Sequence, residues 1–140
     1  MRIRLFYLIA LSIFVCSVVN TARAKVFYYE PTNSHLSGVL GKRIVPGLPN
    51  FESVAKGDKK EIIWVLNPSI PITVKSKTKN SDVQTEPKVK SVQLVLSKKQ
   101  YEAYKQYMNK VVIVEGEFFH ANTAHHRTRV LLDVRSMRQQ

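Results

Sequence analysis

The chain has 140 residues, 22 Lys+Arg against 10 Asp+Glu, and a formal net charge of +12. That length suits one domain with its own core. The single cysteine excludes an internal disulfide and a thiolate metal site, and the scattered glycines form no phosphate-cradling loop.

Residues 1–24 read as an export signal. Arg2 and Arg4 open it, Leu5–Val19 is an almost unbroken apolar run, and Ala22-Arg23-Ala24 is a small-x-small cleavage pattern. The run is shorter than the roughly 20 residues of a bilayer span, so a cleaved signal is preferred to a retained anchor. Cys16 sits in mid-run after Ile13-Phe14-Val15, without the small residues that precede a lipidated cysteine. The working protein is then Lys25–Gln140, periplasmic or secreted, with no membrane span and no cysteine. Its excess of lysine and arginine favours an anionic envelope polymer, an acidic lipid head group or an acidic partner protein. Nucleic acid is disfavoured outside the cytoplasm.

Lys25–Asn33 is a short aromatic lead-in ended by Pro31. Ser34–Val45 is a first strand, in which Gly38 and Gly41 mark bulges or a bend. Pro46-Gly47-Leu48-Pro49-Asn50 is a loop by its chemistry and continues through Gly57-Asp58. Glu61–Leu66 is a second strand. Asn67-Pro68 interrupts it and Ile70–Val74 resumes, as one kinked strand or as two at a barrel corner. Lys75–Lys88 is a polar hairpin loop, and Val89–Leu96 a third strand. Ser97–Lys110 is the one helix. Ser97 and Gln100 form a capping box, and Tyr101, Tyr104 and Met108 fall on one face. Val111–Phe119 and Arg129–Val134 are the last strands, joined through His120–Thr128. Ser136–Gln140 is a frayed end.

Five strands with a helix between the third and fourth make the expected fold mainly β. The reading is a small five-stranded OB-like (oligonucleotide/oligosaccharide-binding) barrel plugged by the helix, a single domain over 25–140. An open sheet with the helix across one face is the competitor.

Pro46–Phe51, Gly57-Asp58, Val92-Gln93-Leu94, Gly116 and Thr123–Thr128 together resemble the bacterial family called domain of unknown function 4431. The paired histidines between threonines are its most specific part. The resemblance covers most of the processed chain and implies an exported β-domain, with no reaction attached.

His120, His125 and His126 lie within seven residues of one another, and imidazole is both a common metal ligand and a near-neutral base. Adjacent strand residues face opposite ways, and no His-x-His or Glu-x-x-His spacing occurs, so a metal is not expected; were one held, these three are the ligands, with His35 able to join. Glu115 and Glu117 share a face, which also describes the wet side of a half-buried strand, and Asp133 is placed to pair with Lys42 or Arg43. No nucleophile elbow is present, so an enzyme is not expected, nor a cofactor. In a barrel of this topology the first–second and fourth–fifth loops flank the ligand. Those are Pro46–Asp58 and His120–Thr128, which makes Asn50, His120, Thr123, His125, His126, Arg127 and Thr128 the candidate binding residues. Lys75, Lys77, Lys79, Lys88 and Lys90 add a basic loop, and Trp64, Phe118 and Phe119 are the available stacking aromatics. The expected function is an exported non-catalytic binding module for an anionic envelope component or a partner protein. The alternatives are an envelope inhibitor or immunity-type protein and a histidine-based metal binder.

Overall fold

The computed structural model describes residues 24–78 and 82–140. The expected export signal therefore lies, apart from Ala24, outside the described residues, as does Lys79. The elements in chain order are β1 (Val26–Tyr28), β2 (Asn33–Pro46), β3 (Lys60–Asn67), β4 (Ile72–Lys75), β5 (Glu86–Val89), β6 (Val92–Val95), α1 (Lys98–Tyr104), β7 (Val111–His120) and β8 (Val130–Gln139).

β2 is long enough to serve two neighbours. Its first half, Asn33–Val39, pairs antiparallel with β7, and its second half, Val39–Pro46, pairs antiparallel with β3. β3 meets β6 through Val65 and Leu66, β6 runs parallel to β8, and β8 is antiparallel to β7. The order β2-β3-β6-β8-β7 thus returns to its start. In chain order the helix lies between the third and fourth strands of this cycle.

The interior follows from period-2 alternation. Val112, Val114, Gly116 and Phe118 of β7 point inward, with Leu36 and Leu40 of β2, Trp64 and Leu66 of β3, and Leu132 and Val134 of β8. Full burial of each Leu, Val or Phe contributes about 1.5–3 kcal/mol, so this layer dominates the stability of a chain without disulfides. At Gly116 the β7–β8 register shifts. A Cβ there would sit 2.1 Å from the Asp133 carbonyl oxygen, so only glycine lets the strands approach at this bulge. Of the bulges or bend expected at Gly38 and Gly41, bulges are absent, because β2 stays in register along both partners; it is here, at Val39, that β2 passes from β7 to β3. Gly38 is needed instead for close approach, its absent Cβ lying 2.6 Å from the Asn67 carbonyl oxygen.

The helix is capped as its sequence implies. Gln100 N donates to Ser97 Oγ at 3.3 Å and Ser97 N to Gln100 Oε1 at 2.8 Å. Gln100 Nε2 then donates to the Val134 carbonyl at 2.7 Å, tying the helix to β8, while Tyr101 meets Trp64 edge-on at 5.0 Å. Tyr104 and Met108 pack against the same core.

Several expectations are corrected by pairings between distant segments. The aromatic lead-in contains β1, which runs parallel to β4 and buries Phe27 against Phe118. Ile70–Val74 does not continue β3: Ile72–Lys75 is the centre of a second sheet, β1-β4-β5. Val89–Leu96 is two strands, since Val89 ends β5 and Val92 starts β6. The Lys75–Lys88 hairpin loop is correspondingly shorter, because Glu86–Lys88 belong to β5. Ser136–Gln139 is not frayed; it pairs with Val112–Glu115 and lengthens β8. Each misread segment is three to five residues long and too short to announce itself by periodicity. Among the described residues, no helix is long and apolar enough to cross a membrane.

Candidate functional site

The β2–β3 loop is built around a carboxylate. Asp58 is buried and accepts from three backbone N–H groups: Asn50 N at 3.0 Å, Glu52 N at 2.7 Å and Ser53 N at 2.7 Å. These bonds, Ser53's first and then Asn50's, hold its carboxyl below its ordinary value. Phe51 N also donates to the Gly47 carbonyl at 2.9 Å. So braced, the chain carries Phe51 at a φ of 60°, a left-handed conformation that a bulky residue adopts only under constraint.

The β7–β8 loop is built around an amide. Gln93 of β6 is buried; its Nε2 donates to the His125 carbonyl at 3.2 Å and its Oε1 accepts from Arg127 N at 2.6 Å. The Gln93 backbone N–H donates to Thr128 Oγ1 at 3.0 Å, and that hydroxyl donates onward to the Val130 carbonyl at 2.6 Å. His126 N closes the turn on the Thr123 carbonyl at 3.1 Å. His126 Nδ1 accepts from Asn122 N at 3.0 Å. Burial first, and then its neighbour His125, push the His126 imidazole below its ordinary value, which keeps the ring in the neutral form that this bond requires.

The two loops meet. Arg127 Nη2 donates to the Pro46 carbonyl and lies 3.8 Å from Glu61 Oε2, with only 11% of its side chain exposed. Its guanidinium carbon sits 4.7 Å from the Phe51 ring centre, and His125 of the same loop meets that ring edge-on at 5.3 Å. Segments some seventy positions apart therefore share one pole. What they leave outside is exposed Leu48, Pro49, Asn50, Thr123, Ala124 and His125.

The candidate residues divide accordingly. Asn50, Thr123 and His125 are exposed at this pole, whereas Arg127 and Thr128 are spent on holding it together. His120 stands apart at the end of β7, with Nε2 3.0 Å from Glu86 Oε1 and Nδ1 3.0 Å from the Ala121 carbonyl oxygen. The three imidazoles proposed as a ligand set do not converge: His120 faces Glu86, His125 faces Phe51 and His126 faces Phe119 at 5.4 Å. Among the described residues no group of three or more His, Cys, Asp or Glu is arranged to hold a metal. His35 lies 3.8 Å from Glu115 and joins none of them.

Glu115 and Glu117 do share the outer face of β7. Asn33 and Ser136 donate to Glu115 and Arg135 to Glu117. Asp133 does not meet the cations expected for it, since Lys42 lies over the Trp64 ring and Arg43 donates to Ser91. Trp64 and Phe118 are buried and offer no stacking platform. The residues missed on sequence are Gln93, Asp58 and Phe51. Gln93, a lone polar residue in the apolar run Val92–Leu96, was the readable signal, because a buried amide needs partners.

Residues 91–138 match the family described as Domain of unknown function (DUF4431). The match takes in β6, the helix, β7, the histidine-bearing loop and all of β8 but Gln139, and with them Gln93 and Gly116. The Pro46–Asp58 loop lies outside it, so the match is shorter than the resemblance read from individual residues. No curated protein and no solved structure matches the chain.

Proposed function

We propose that this chain, whose residues 91–138 carry the domain of unknown function 4431 match, is an exported, non-catalytic binding module. It is an OB-like barrel that contacts a partner protein in the cell envelope through the pole where its two loops meet. The reading is carried by Arg127, which reaches from the β7–β8 loop to the Pro46 carbonyl and the Phe51 ring. Two loops locked in this way present a rigid surface, and rigidity lowers the entropic cost of association.

The surface itself favours protein over polyanion. Leu48 is 52% exposed beside Pro49, Asn50 and His125, and Arg127, the cation among the candidates, is turned inward against Glu61 and Phe51. An exposed apolar residue between two braced loops suits the centre of a protein–protein contact. An inhibitor or immunity-type protein is the form this contact takes if the partner is an enzyme. Export rests on the residue pattern of 1–24.

The test is capture from envelope extract by the full chain and by Leu48→Asp and Asn50→Ala variants. The expected result is a band retained by the parent chain and lost in Leu48→Asp, with the same thermal midpoint in both. Equal capture by both proteins would reject the pole as the contact surface.

A further inference from the structure

We infer that the cleft between the β5–β6 junction and the start of β8 binds a phosphate monoester group. The cleft has a volume of about 240 Å³ and is lined by Lys88, Lys90, Ser91 and Arg129, with Glu86 as the one carboxylate. These residues lie outside the loop pole and its partner contact, so the two readings stand or fall separately.

The β4–β5 ladder is irregular here. Ile72 pairs with Val89 but Val74 pairs with Glu86, so β5 carries an extra residue, a bulge at Pro87-Lys88. Lys88 takes a φ of 54°, left-handed in a residue that is neither glycine nor asparagine. This local strain brings Lys88 and Lys90 into the lining of one cleft. Arg129 enters from the end of the β7–β8 loop, just before β8 and some forty positions later, with its side chain 81% exposed and Nη1 3.4 Å from Glu86 Oε2. Glu86 is itself 7% exposed and has its other oxygen on His120. Its charge is therefore committed at the inner end of the cleft, where it orients Arg129 and leaves three cations facing one carboxylate.

Ser91 completes the chemistry. Its Oγ accepts from Arg43 Nη2 at 2.9 Å, which directs its own proton elsewhere and brings a fourth cation close. A hydroxyl donor, two ammonium groups and a guanidinium fork match an oxoanion of high charge. A phosphate monoester carries about −1.5 to −2 at neutral pH and takes both the fork of Arg and the point charge of Lys. A single carboxylate would leave most of these donors unused.

The phosphate can belong to a soluble ester or to a lipid head group, and two probes separate the sources. Glycerol 3-phosphate is titrated into the full chain with amide shifts followed at Lys88, Lys90, Ser91 and Arg129. In parallel, the chain is sedimented with phosphatidylcholine vesicles with and without phosphatidic acid. Saturable shifts at those four amides are expected. Arg129→Gln and Lys90→Gln should each weaken binding about ten-fold, the loss of one charge-assisted hydrogen bond. Lys98→Gln, on the helix, should leave it unchanged, and thermal midpoints should stay level across the set. Sedimentation with phosphatidic acid that glycerol 3-phosphate displaces assigns the lipid source, and titration without sedimentation assigns the soluble one. Absence of shifts at these amides, or equal losses in Lys98→Gln and Arg129→Gln, would overturn the site.

Discussion

Arg127 stands with its guanidinium carbon 4.7 Å from the centre of the Phe51 ring, and this contact joins two loops some seventy positions apart. The geometry explains why Phe51 is held in a left-handed conformation: the strain places the ring against the cation. A desolvated cation–π pair contributes about 2 kcal/mol. Arg127→Ala should lower stability by about 1–3 kcal/mol, since it also removes the donor to the Pro46 carbonyl. Phe51→Ala should cost a similar amount, and the double variant less than the two together. A double-mutant cycle by urea unfolding measures the coupling; strictly additive costs would mean the contact contributes nothing.

Gln93 anchors the same pole from beneath. Gln93→Leu keeps the shape but strips partners from Arg127 N and the His125 carbonyl. Leaving buried polar groups unpaired costs about 1–3 kcal/mol each. The loss should therefore exceed that of an ordinary surface change, and amide exchange at Arg127 should accelerate well before global unfolding. Slow exchange at Arg127 in the variant would show that the loop is held by other means.

These anchors also mark the limit of what the sequence disclosed. The capping box of Ser97 and Gln100 was legible because both partners lie within one turn, whereas the close approach at Gly116 was not, because the Asp133 carbonyl it faces lies on another strand. The Pro46–Asp58 and His120–Thr128 loops were legible as segments, and so was their meeting. What they do to one another was not. Arg127 read as a candidate binding residue; only the fold supplies Pro46, Phe51 and Glu61 around it and turns it inward. β1, β4 and β5 were obscured for a related reason. Val26–Tyr28 is a strand only because Ile72–Lys75 runs alongside it, a stabilisation that no local pattern records.

Asp58 gives the β2–β3 loop a dependence on acid. Its carboxyl is held below its ordinary value of 3.8 by the backbone N–H groups that it accepts from. A group depressed in the folded state contributes stability that is complete above the unfolded value and is lost as pH falls through the folded one. The window therefore lies below pH 3.8. Asp58→Asn removes an acceptor that served three donors, so the variant should already be less stable at neutral pH and show a shallower further loss in acid. Thermal midpoints from neutral pH down to about pH 2.5 give the comparison. Parallel curves for the two proteins would deny Asp58 this role.

Tyr29 acts at the other end of the pH scale. It is buried beneath the junction of the two sheets, edge-on to His120 at 6.1 Å, and its hydroxyl has no hydrogen-bond partner among the described residues. Burial first, and the Glu86 carboxylate second, push its phenol up from 10.0 to about 12. A folded value above the unfolded one means that the contribution is complete below pH 10 and disappears as pH rises toward 12. Tyr29→Phe removes both the titrating group and the orphaned hydroxyl. At neutral pH the variant should match the parent chain or exceed it by about 1 kcal/mol, because an unpaired buried hydroxyl is a cost. Above pH 10 its stability should fall less steeply, since the lysines that also titrate there are common to both proteins. Urea unfolding at pH 7, 9, 10 and 11 resolves the difference. A variant clearly less stable at pH 7 would mean that the hydroxyl has a partner, and identical alkaline slopes would mean that Tyr29 ionises as freely folded as unfolded.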